Sequence, residues 1–72
     1  MKTGIVKSFE RGWGFIVDDD DNNEYFVHFS NIVAEGFKFL EVGDIVTYDI
    51  GPGNRSGVQA INVTLIGGDY EE

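Results

Sequence analysis

Five short segments of the chain are rich in apolar β-branched or aromatic residues, and the dominant period along them is two. A period of two is typical of β-strands, whose successive side chains point to opposite faces. The segments are residues 4–9, 13–17, 24–29, 44–50 and 57–66. Between them, residues 18–23 are all Asp or Asn, and residues 51–54 (Gly-Pro-Gly-Asn) are expected to end the fourth strand. One helical turn, capped by Ser30, is predicted over residues 30–34.

An open sheet of five short strands would leave two unpaired edges, which attract other chains. Closing the sheet into a barrel removes both edges, and glycines let strands bend where the barrel turns a corner. Gly12 and Gly14 stand where the second strand would need such a bend. We therefore predict an all-β fold, a single five-stranded antiparallel barrel over residues 1–66. Residues 67–72 are expected to form a frayed acidic tail.

Composition excludes several classes of function. The chain has no cysteine, so disulfides and thiolate metal sites are excluded. No apolar run has the length of a membrane helix, and we find no signal-peptide pattern. The lone histidine, His28, cannot supply an acid–base pair, and residues 18–21 lack the glycine and glutamate of a calcium loop. We expect a cytoplasmic, non-enzymatic protein with no cofactor, metal or small-molecule substrate, and a solvated turn at residues 18–21.

Aromatic residues are concentrated in the second and third strands. Trp13 and Phe15 share one strand face, Phe26 and His28 share another, and Phe29 follows at the strand end. The residues predicted for the core are Val6, Ile16, Val27, Ile32, Ile45 and Val63. Because these fill a core of this size, additional rings would overfill it. We therefore predict that the rings form an exposed apolar face, which suits the stacking of nucleic-acid bases.

Three stretches, taken in order, resemble the cold-shock domain family. Residues 7–9 (Lys-Ser-Phe) precede residues 11–16 (Arg-Gly-Trp-Gly-Phe-Ile), which are similar to the first ribonucleoprotein motif of that family. Residues 26–30 (Phe-Val-His-Phe-Ser) are similar to the second motif, and the resemblance extends over residues 3–65. It implies a barrel of the oligonucleotide-binding (OB) type that binds single-stranded RNA or DNA by stacking. It also implies an RNA chaperone or a regulator of transcription or translation.

Position by position, the resemblance implies a set of nucleic-acid-binding residues. They are Lys7, Phe9, Arg11, Trp13, Phe15, Phe26, His28, Phe29, Phe37, Lys38 and Arg55. Of the chain's five basic residues, only Lys2 lies outside this set, although thirteen acidic residues give a net charge of −8. At physiological salt this charge is screened beyond about 8 Å, so a local basic rim can still attract phosphates. The acidic residues are then expected on the loops, the back of the barrel and the tail.

Three positions depart from the family pattern. Ser8 stands where the family usually has tryptophan, so one stacking ring is missing, and Trp13 stands where it usually has phenylalanine. The loop at Glu10 and Arg11 is about two residues short, which leaves the position of Arg11 open. Tyr25 replaces a small aliphatic residue on the core side, and its hydroxyl needs a partner or a route to water.

Two interpretations of function remain open. The first is a monomer that binds single-stranded RNA or DNA, with no choice between them because stacking does not read the 2′-hydroxyl. The second is a protein-interaction module on the same fold, whose acidic surface binds a basic protein. In that case Ser8 and the negative charge weaken nucleic-acid binding.

Overall fold

The computed structural model of the chain describes residues 1–34, 38–53 and 57–67. Within these ranges the backbone forms five strands and one short 3₁₀ helix. They are β1 (Lys2–Glu10), β2 (Trp13–Asp18), β3 (Glu24–His28), the 3₁₀ helix η1 (Phe29–Asn31), β4 (Ile45–Pro52) and β5 (Val58–Gly67). The five strands match the predicted segments, and their ends differ from the prediction by at most two residues.

The strands close into a barrel in the order β1-β2-β3-β5-β4. Every neighbouring pair is antiparallel except β3 and β5, which meet in parallel where Phe26 lies opposite Gln59. Closure gives each strand a partner on both sides, which protects the edges of a small sheet. The five-stranded barrel is therefore confirmed, with one parallel contact in an otherwise antiparallel sheet. Among the described residues, no helix is long and apolar enough to cross a membrane.

The core follows the alternation along the strands. Its buried apolar residues are Val6, Ile16, Val27, Ile32, Leu40, Val46, Tyr48, Ala60 and Val63. Every residue predicted for the core is confirmed except Ile45, which is half-buried. β4 has the opposite phase to the predicted one because Val46 lies across from Gly4, a buried position of β1. This register turns Val46 and Tyr48 inward and Ile45 away from the interior.

A single 3₁₀ turn follows β3, but it covers Phe29–Asn31 rather than residues 30–34, and its cap differs from the prediction. The turn is η1, and its N-cap is His28 rather than Ser30. The Nδ1 atom of His28 accepts a hydrogen bond from the backbone N–H of Ser30 at 3.2 Å. A histidine can cap in this way because an unprotonated ring nitrogen accepts as a carboxylate or hydroxyl oxygen does.

The fourth strand also runs further than predicted. β4 continues through Pro52, which pairs with Val58 of β5. A proline is tolerated at this strand end because it lacks only the backbone N–H. Its carbonyl still accepts a hydrogen bond, here from Gln59 Nε2 at 2.9 Å. Asn54, the last residue of the predicted break, lies outside the described residues.

The acidic segment after β2 is not a wholly solvated turn. Asp18 is 1% exposed, whereas residues 19–21 are exposed. The hydroxyl of Tyr48 donates to Asp18 Oδ1 at 2.5 Å, and Lys2 Nζ lies 3.5 Å from Oδ2. The backbone N–H groups two and three residues further along donate to Oδ2 at 2.9 and 3.2 Å. The prediction of a solvated turn is thus wrong at Asp18, because this carboxylate finds partners inside the barrel.

Candidate nucleic-acid interface

Pairing between β2 and β3 brings the predicted aromatic residues onto one outer face of the barrel. Trp13 lies opposite His28, and Phe15 lies opposite Phe26. Directly opposed residues of antiparallel strands point to the same side of the sheet, and the alternate residues of these strands fill the core. We call the side chains of Trp13, Phe15, Phe26 and His28 the aromatic platform.

Three rings of the platform contact one another. The centroid of Trp13 lies 6.1 Å from that of Phe15 and 5.9 Å from that of Phe26. Phe15 and Phe26 are 5.9 Å apart, and their planes meet at 73°. Edge contacts of this kind contribute about 0.5–1.5 kcal/mol per pair beyond area burial. The rings therefore hold one another in place, while Trp13 remains 47% exposed.

His28 is oriented by the residues that follow it. Its Nδ1 accepts from the N–H of Ser30 and lies 2.9 Å from the Ser30 hydroxyl oxygen. In a neutral imidazole this arrangement leaves the ring proton on Nε2. The ring also lies 4.5 Å from that of Phe29, centroid to centroid, with 30° between the planes. His28 can therefore offer both a flat face and an N–H donor to a ligand.

Phe29 is held against the turn that joins β1 and β2. That turn is Arg11-Gly12, and both residues have positive φ, 61° and 94°. Such angles are typical of a two-residue type I′ hairpin turn. The backbone N–H of Phe29 donates to the Gly12 carbonyl at 2.8 Å, and a Cβ at Gly12 would lie 2.9 Å from the Phe29 ring. Glycine at this position lets Phe29 sit beside the turn.

The turn settles where Arg11 lies. It stands exposed at the tip of the hairpin, two residues before Trp13. Together with Ser8, Phe9, Glu10 and Trp13 it lines a depression of about 300 Å³. A cation at this point stands beside the exposed indole of Trp13.

Phe9 differs from the other rings. It lies opposite Gly14 in the inward phase of the strands, is half-buried and packs against the core. A Cβ at Gly14 would collide with the carbonyl oxygen of Ser8, so only glycine allows β1 and β2 to approach this closely. The ring of Phe9 therefore stands behind the platform and reaches solvent at the depression beside Trp13.

The position of the missing ring is now defined. Ser8 is exposed and lies opposite Phe15 across the β1–β2 ladder, just after an irregularity in the register at Lys7. A larger side chain at Ser8 would stand next to Phe15 on the outer face. The departure from the family pattern therefore leaves open one flank of the aromatic platform.

One of the cations expected around the platform, Lys7, is paired with an acidic residue. Lys7 Nζ lies 2.5 Å from a carboxylate oxygen of Glu24, and Lys2 pairs with Asp18. Glu24 precedes Phe26 by two residues and therefore shares its face of β3. The expectation that acidic residues avoid this face is thus wrong for Glu24. The strand period places its carboxylate beside the rings.

Of the three remaining predicted site residues, the structure describes one. Lys38 is exposed in the segment ahead of β4. Phe37 and Arg55 fall outside the described residues, so their roles stay predictions. Arg11 is therefore the cation that the structure places beside a platform ring, with Glu10 lining the same depression.

Sequence reasoning missed one group of polar residues beside the platform. Ser30, Asn31 and Gln59 line a depression of about 270 Å³ together with Phe26 and His28. Gln59 is brought there by the parallel contact between β3 and β5, and its Oε1 accepts from Asn31 Nδ2 at 3.3 Å. Its only sequence signal is that it precedes the buried Ala60. Amides here offer donors and acceptors to the edge of a base.

Comparisons with known proteins agree with this architecture. The family profile described as 'Cold-shock' DNA-binding domain matches residues 2–66. The chain is 52% identical over 66 residues to Cold shock-like protein CspD of Bacillus cereus, covering 89% of this chain and 97% of that protein. It is 46% identical over 66 residues to Cold shock protein ScoF of Streptomyces coelicolor, with coverage of 89% and 97%.

A longer relative shares the same region. The chain is 47% identical over 68 residues to Cold shock protein 1 of Arabidopsis thaliana, covering 92% of this chain and 23% of that protein. It thus spans about a quarter of that relative, whereas it spans nearly all of the two bacterial ones. The chain therefore belongs to the cold-shock domain family, whose members bind nucleic acid and are not enzymes.

Proposed function

We propose that this chain binds single strands of RNA or DNA by stacking their bases on the aromatic platform. The observation that supports this most directly is the cluster formed by Trp13, Phe15 and Phe26, whose centroids lie 5.9–6.1 Å apart on an outer face. Exposed aromatic clusters of this kind are costly in water and mark binding sites. Every base has a π-face, so such a surface accepts many sequences.

The magnitude of stacking makes this binding strong enough to matter. Each stacked base contributes about 1–3 kcal/mol, so four bases contribute about 4–12 kcal/mol before ordering costs are subtracted. Micromolar affinity corresponds to about 8 kcal/mol. We expect the dissociation constant for a short strand to lie between micromolar and nanomolar.

The charge distribution shapes how affinity responds to salt. Lys7 is paired with Glu24, and the chain carries a net charge of −8, so few phosphates are neutralised on binding. The salt dependence of binding follows the number of phosphates that are neutralised. We therefore expect a shallow salt dependence, with stacking as the main source of affinity.

We further propose that the chain acts in the cytoplasm as a monomer, as an RNA chaperone or a regulator of transcription or translation. A stacking platform with little base-specific readout suits a protein that must bind many different single strands. In this proposal the binding domain runs to the end of β5 at Gly67, one residue beyond the predicted boundary, and residues 68–72 are an acidic tail. The binding set includes Phe37, Lys38 and Arg55.

The proposal is tested by titration with short DNA and RNA heptamers while Trp13 fluorescence is monitored. Bases that stack on the indole quench its emission, and Phe15→Ala should weaken binding about five- to 150-fold. Phe39→Ala is the matched control, because Phe39 is a half-exposed ring outside the platform and its loss should leave affinity unchanged. Absence of quenching at tens of micromolar heptamer would overturn the proposal and favour the acidic protein-interaction module.

A further inference from the structure

A second depression lies outside the aromatic platform. It is a groove of about 410 Å³ between the segment after η1, residues 39–44 and the end of β5. Its volume falls within the range of ordinary ligand pockets, about 300–1,000 Å³. None of its described lining residues belongs to the aromatic platform.

The walls of the groove are apolar and open to solvent. Val33, Phe39 and Leu65 line it and are 57%, 52% and 45% exposed. Single exposed apolar residues are ordinary on protein surfaces and need no explanation. Three that converge on one concave surface, however, form a patch that a partner can bury.

A buried carboxylate lies among these walls. Asp44 lines the groove and is only 3% exposed. Its Oδ2 accepts from the backbone N–H of Glu41 at 2.9 Å, whereas its Oδ1 has no hydrogen-bond partner among the described residues. Buried carboxylate oxygens normally have a donor, because leaving one unpaired is costly. This oxygen lies beneath the groove surface, where no described group donates to it.

The charge of the groove indicates what kind of donor would fit. Glu41 and Asp44 both line it, and no basic residue is among its described lining. The chain as a whole carries a net charge of −8. Such a surface repels phosphates and attracts guanidinium or ammonium groups, which form strong charge-assisted hydrogen bonds to carboxylates. The acidic lining therefore favours a basic occupant over a nucleic-acid strand.

We propose that this groove is a second binding site, for a basic protein segment that combines an apolar side chain with a neighbouring arginine or lysine. The apolar side chain packs between Val33, Phe39 and Leu65, and the basic group pairs with the exposed carboxylate of Glu41, beside the buried carboxylate of Asp44. The site is independent of the aromatic platform. It allows the chain to hold a basic protein and a nucleic-acid strand together.

The experiment uses the full chain and a short peptide that alternates leucine and arginine, followed by amide NMR shifts. We expect saturable shifts confined to the groove around Glu41, Asp44 and Leu65. A peptide with citrulline in place of arginine keeps the shape but removes the charge. Because a charge-assisted hydrogen bond is lost, it should bind about tenfold more weakly or worse.

Two variants of the chain locate the site. Glu41→Gln keeps the shape of the side chain but removes the charge that pairs with the basic group, and should weaken the arginine peptide about tenfold. Leu65→Lys should also weaken it, because it places a cation at the rim. Ile66→Lys is the matched control: it makes the same change one residue further along β5, outside the groove lining. Thermal unfolding shows that each variant folds, and Trp13 quenching by a heptamer should stay unchanged in all three.

Several outcomes would overturn the proposal. Equal binding of the citrulline peptide, or equal weakening by Leu65→Lys and Ile66→Lys, would show non-specific attraction to an acidic surface. Groove shifts that follow protein concentration without peptide would assign the groove to a second copy of the chain. Groove shifts caused by a DNA heptamer would assign it to nucleic acid. A peptide response that appears only after removal of residues 68–72 would assign it to that segment.

Discussion

The two ends of β2 reverse the usual relation between residue type and burial. At its start, Trp13 points outward and is 47% exposed. At its end, Asp18 points inward and is 1% exposed. Tryptophan is usually highly buried, and aspartate is almost never fully buried unless it is paired. Both exceptions follow from one strand period, because residues five positions apart lie on opposite faces.

The difference between the two ends lies in their partners. The Asp18 carboxylate accepts from Tyr48 and from two backbone N–H groups, and Lys2 lies beside it, so its burial is compensated. Trp13 keeps nearly half of its surface in water despite its two neighbouring rings. A buried carboxylate whose hydrogen bonds are satisfied, such as Asp18, serves the structure. An exposed aromatic ring that the fold does not bury, such as Trp13, indicates a surface kept for a ligand.

The largest effect is expected from a substitution that removes a hydrogen bond at the Asp18 end of β2. Tyr48→Phe keeps the buried ring but removes the hydroxyl that donates to Asp18 Oδ1. Hydrogen bonds to charged groups contribute about 1.5–3 kcal/mol, so we expect the free energy of unfolding to fall by that amount at neutral pH. Urea denaturation measures it. Tyr25→Phe is the matched control, because its hydroxyl bonds Asp21 on an exposed surface, and its effect should be well below that of Tyr48→Phe.

The effect of Tyr48→Phe has a defined pH dependence. The Tyr48 hydroxyl first, and then two backbone N–H groups and Lys2, lower the pKa of Asp18 from 3.8 to about 2 against the opposing effect of burial. A depressed folded-state pKa gives stability that is present above the unfolded value and is lost as the pH falls through the folded one. The deficit of Tyr48→Phe should therefore be full above about pH 5 and narrow toward pH 2. A deficit that is constant with pH would show that ring packing, not the hydrogen bond, is responsible.

These two ends also show what the sequence could predict. The platform residues lie within one hairpin, where the period of two and a short turn set the register, so their common face was predictable. The partner of Asp18 was not, because Tyr48 lies 30 residues away. Tyr48 points inward because of the register between β4 and β1. The local sequence does not reveal this orientation, because Ile45 and Val46 place an apolar residue on each face of β4.

Two further features depended on strand order and on side-chain contacts. Gln59 reaches the platform only because β5 inserts beside β3, which no local pattern indicates. Pairing of Lys7 with Glu24 crosses from β1 to β3, so a count of basic residues overestimated the charge available for phosphates. Periodicity predicts faces within a strand, whereas the neighbours across the barrel decide which charges and amides meet.

The next largest effect is expected from a substitution that adds a ring to the aromatic platform, near the Trp13 end of β2. Ser8→Trp places a ring beside Phe15 on the outer face, where Ser8 is exposed. One additional stacked base contributes about 1–3 kcal/mol, so affinity for a labelled heptamer should rise about five- to 150-fold in an anisotropy titration. Ser8→Leu is the control, since it adds apolar surface without a flat ring. An equal gain for both variants would indicate general hydrophobic attraction rather than stacking.

The smallest effect is expected from a substitution of Glu24. This residue lies opposite Val17, next to the Asp18 end of β2. It shares a strand face with Phe26. Its carboxylate places a negative charge beside the rings of the aromatic platform. Glu24→Gln removes a carboxylate next to the rings and releases Lys7 from its ion pair. Exposed ion pairs contribute only about 0–1 kcal/mol, so stability should barely change. Affinity for a heptamer should rise by a few-fold at low salt.

Salt dependence separates the two ways in which Glu24→Gln could act. If Lys7 becomes available to one phosphate, the slope of log affinity against log salt steepens by about 0.7, the value for one phosphate of a single strand. Glu41→Gln makes the same change in net charge outside the platform, so it should alter neither affinity nor slope beyond the screened effect of one charge. An equal response to the two substitutions would mean that overall charge opposes binding. A steeper slope for Glu24→Gln alone would mean that Glu24 holds back a phosphate-binding lysine.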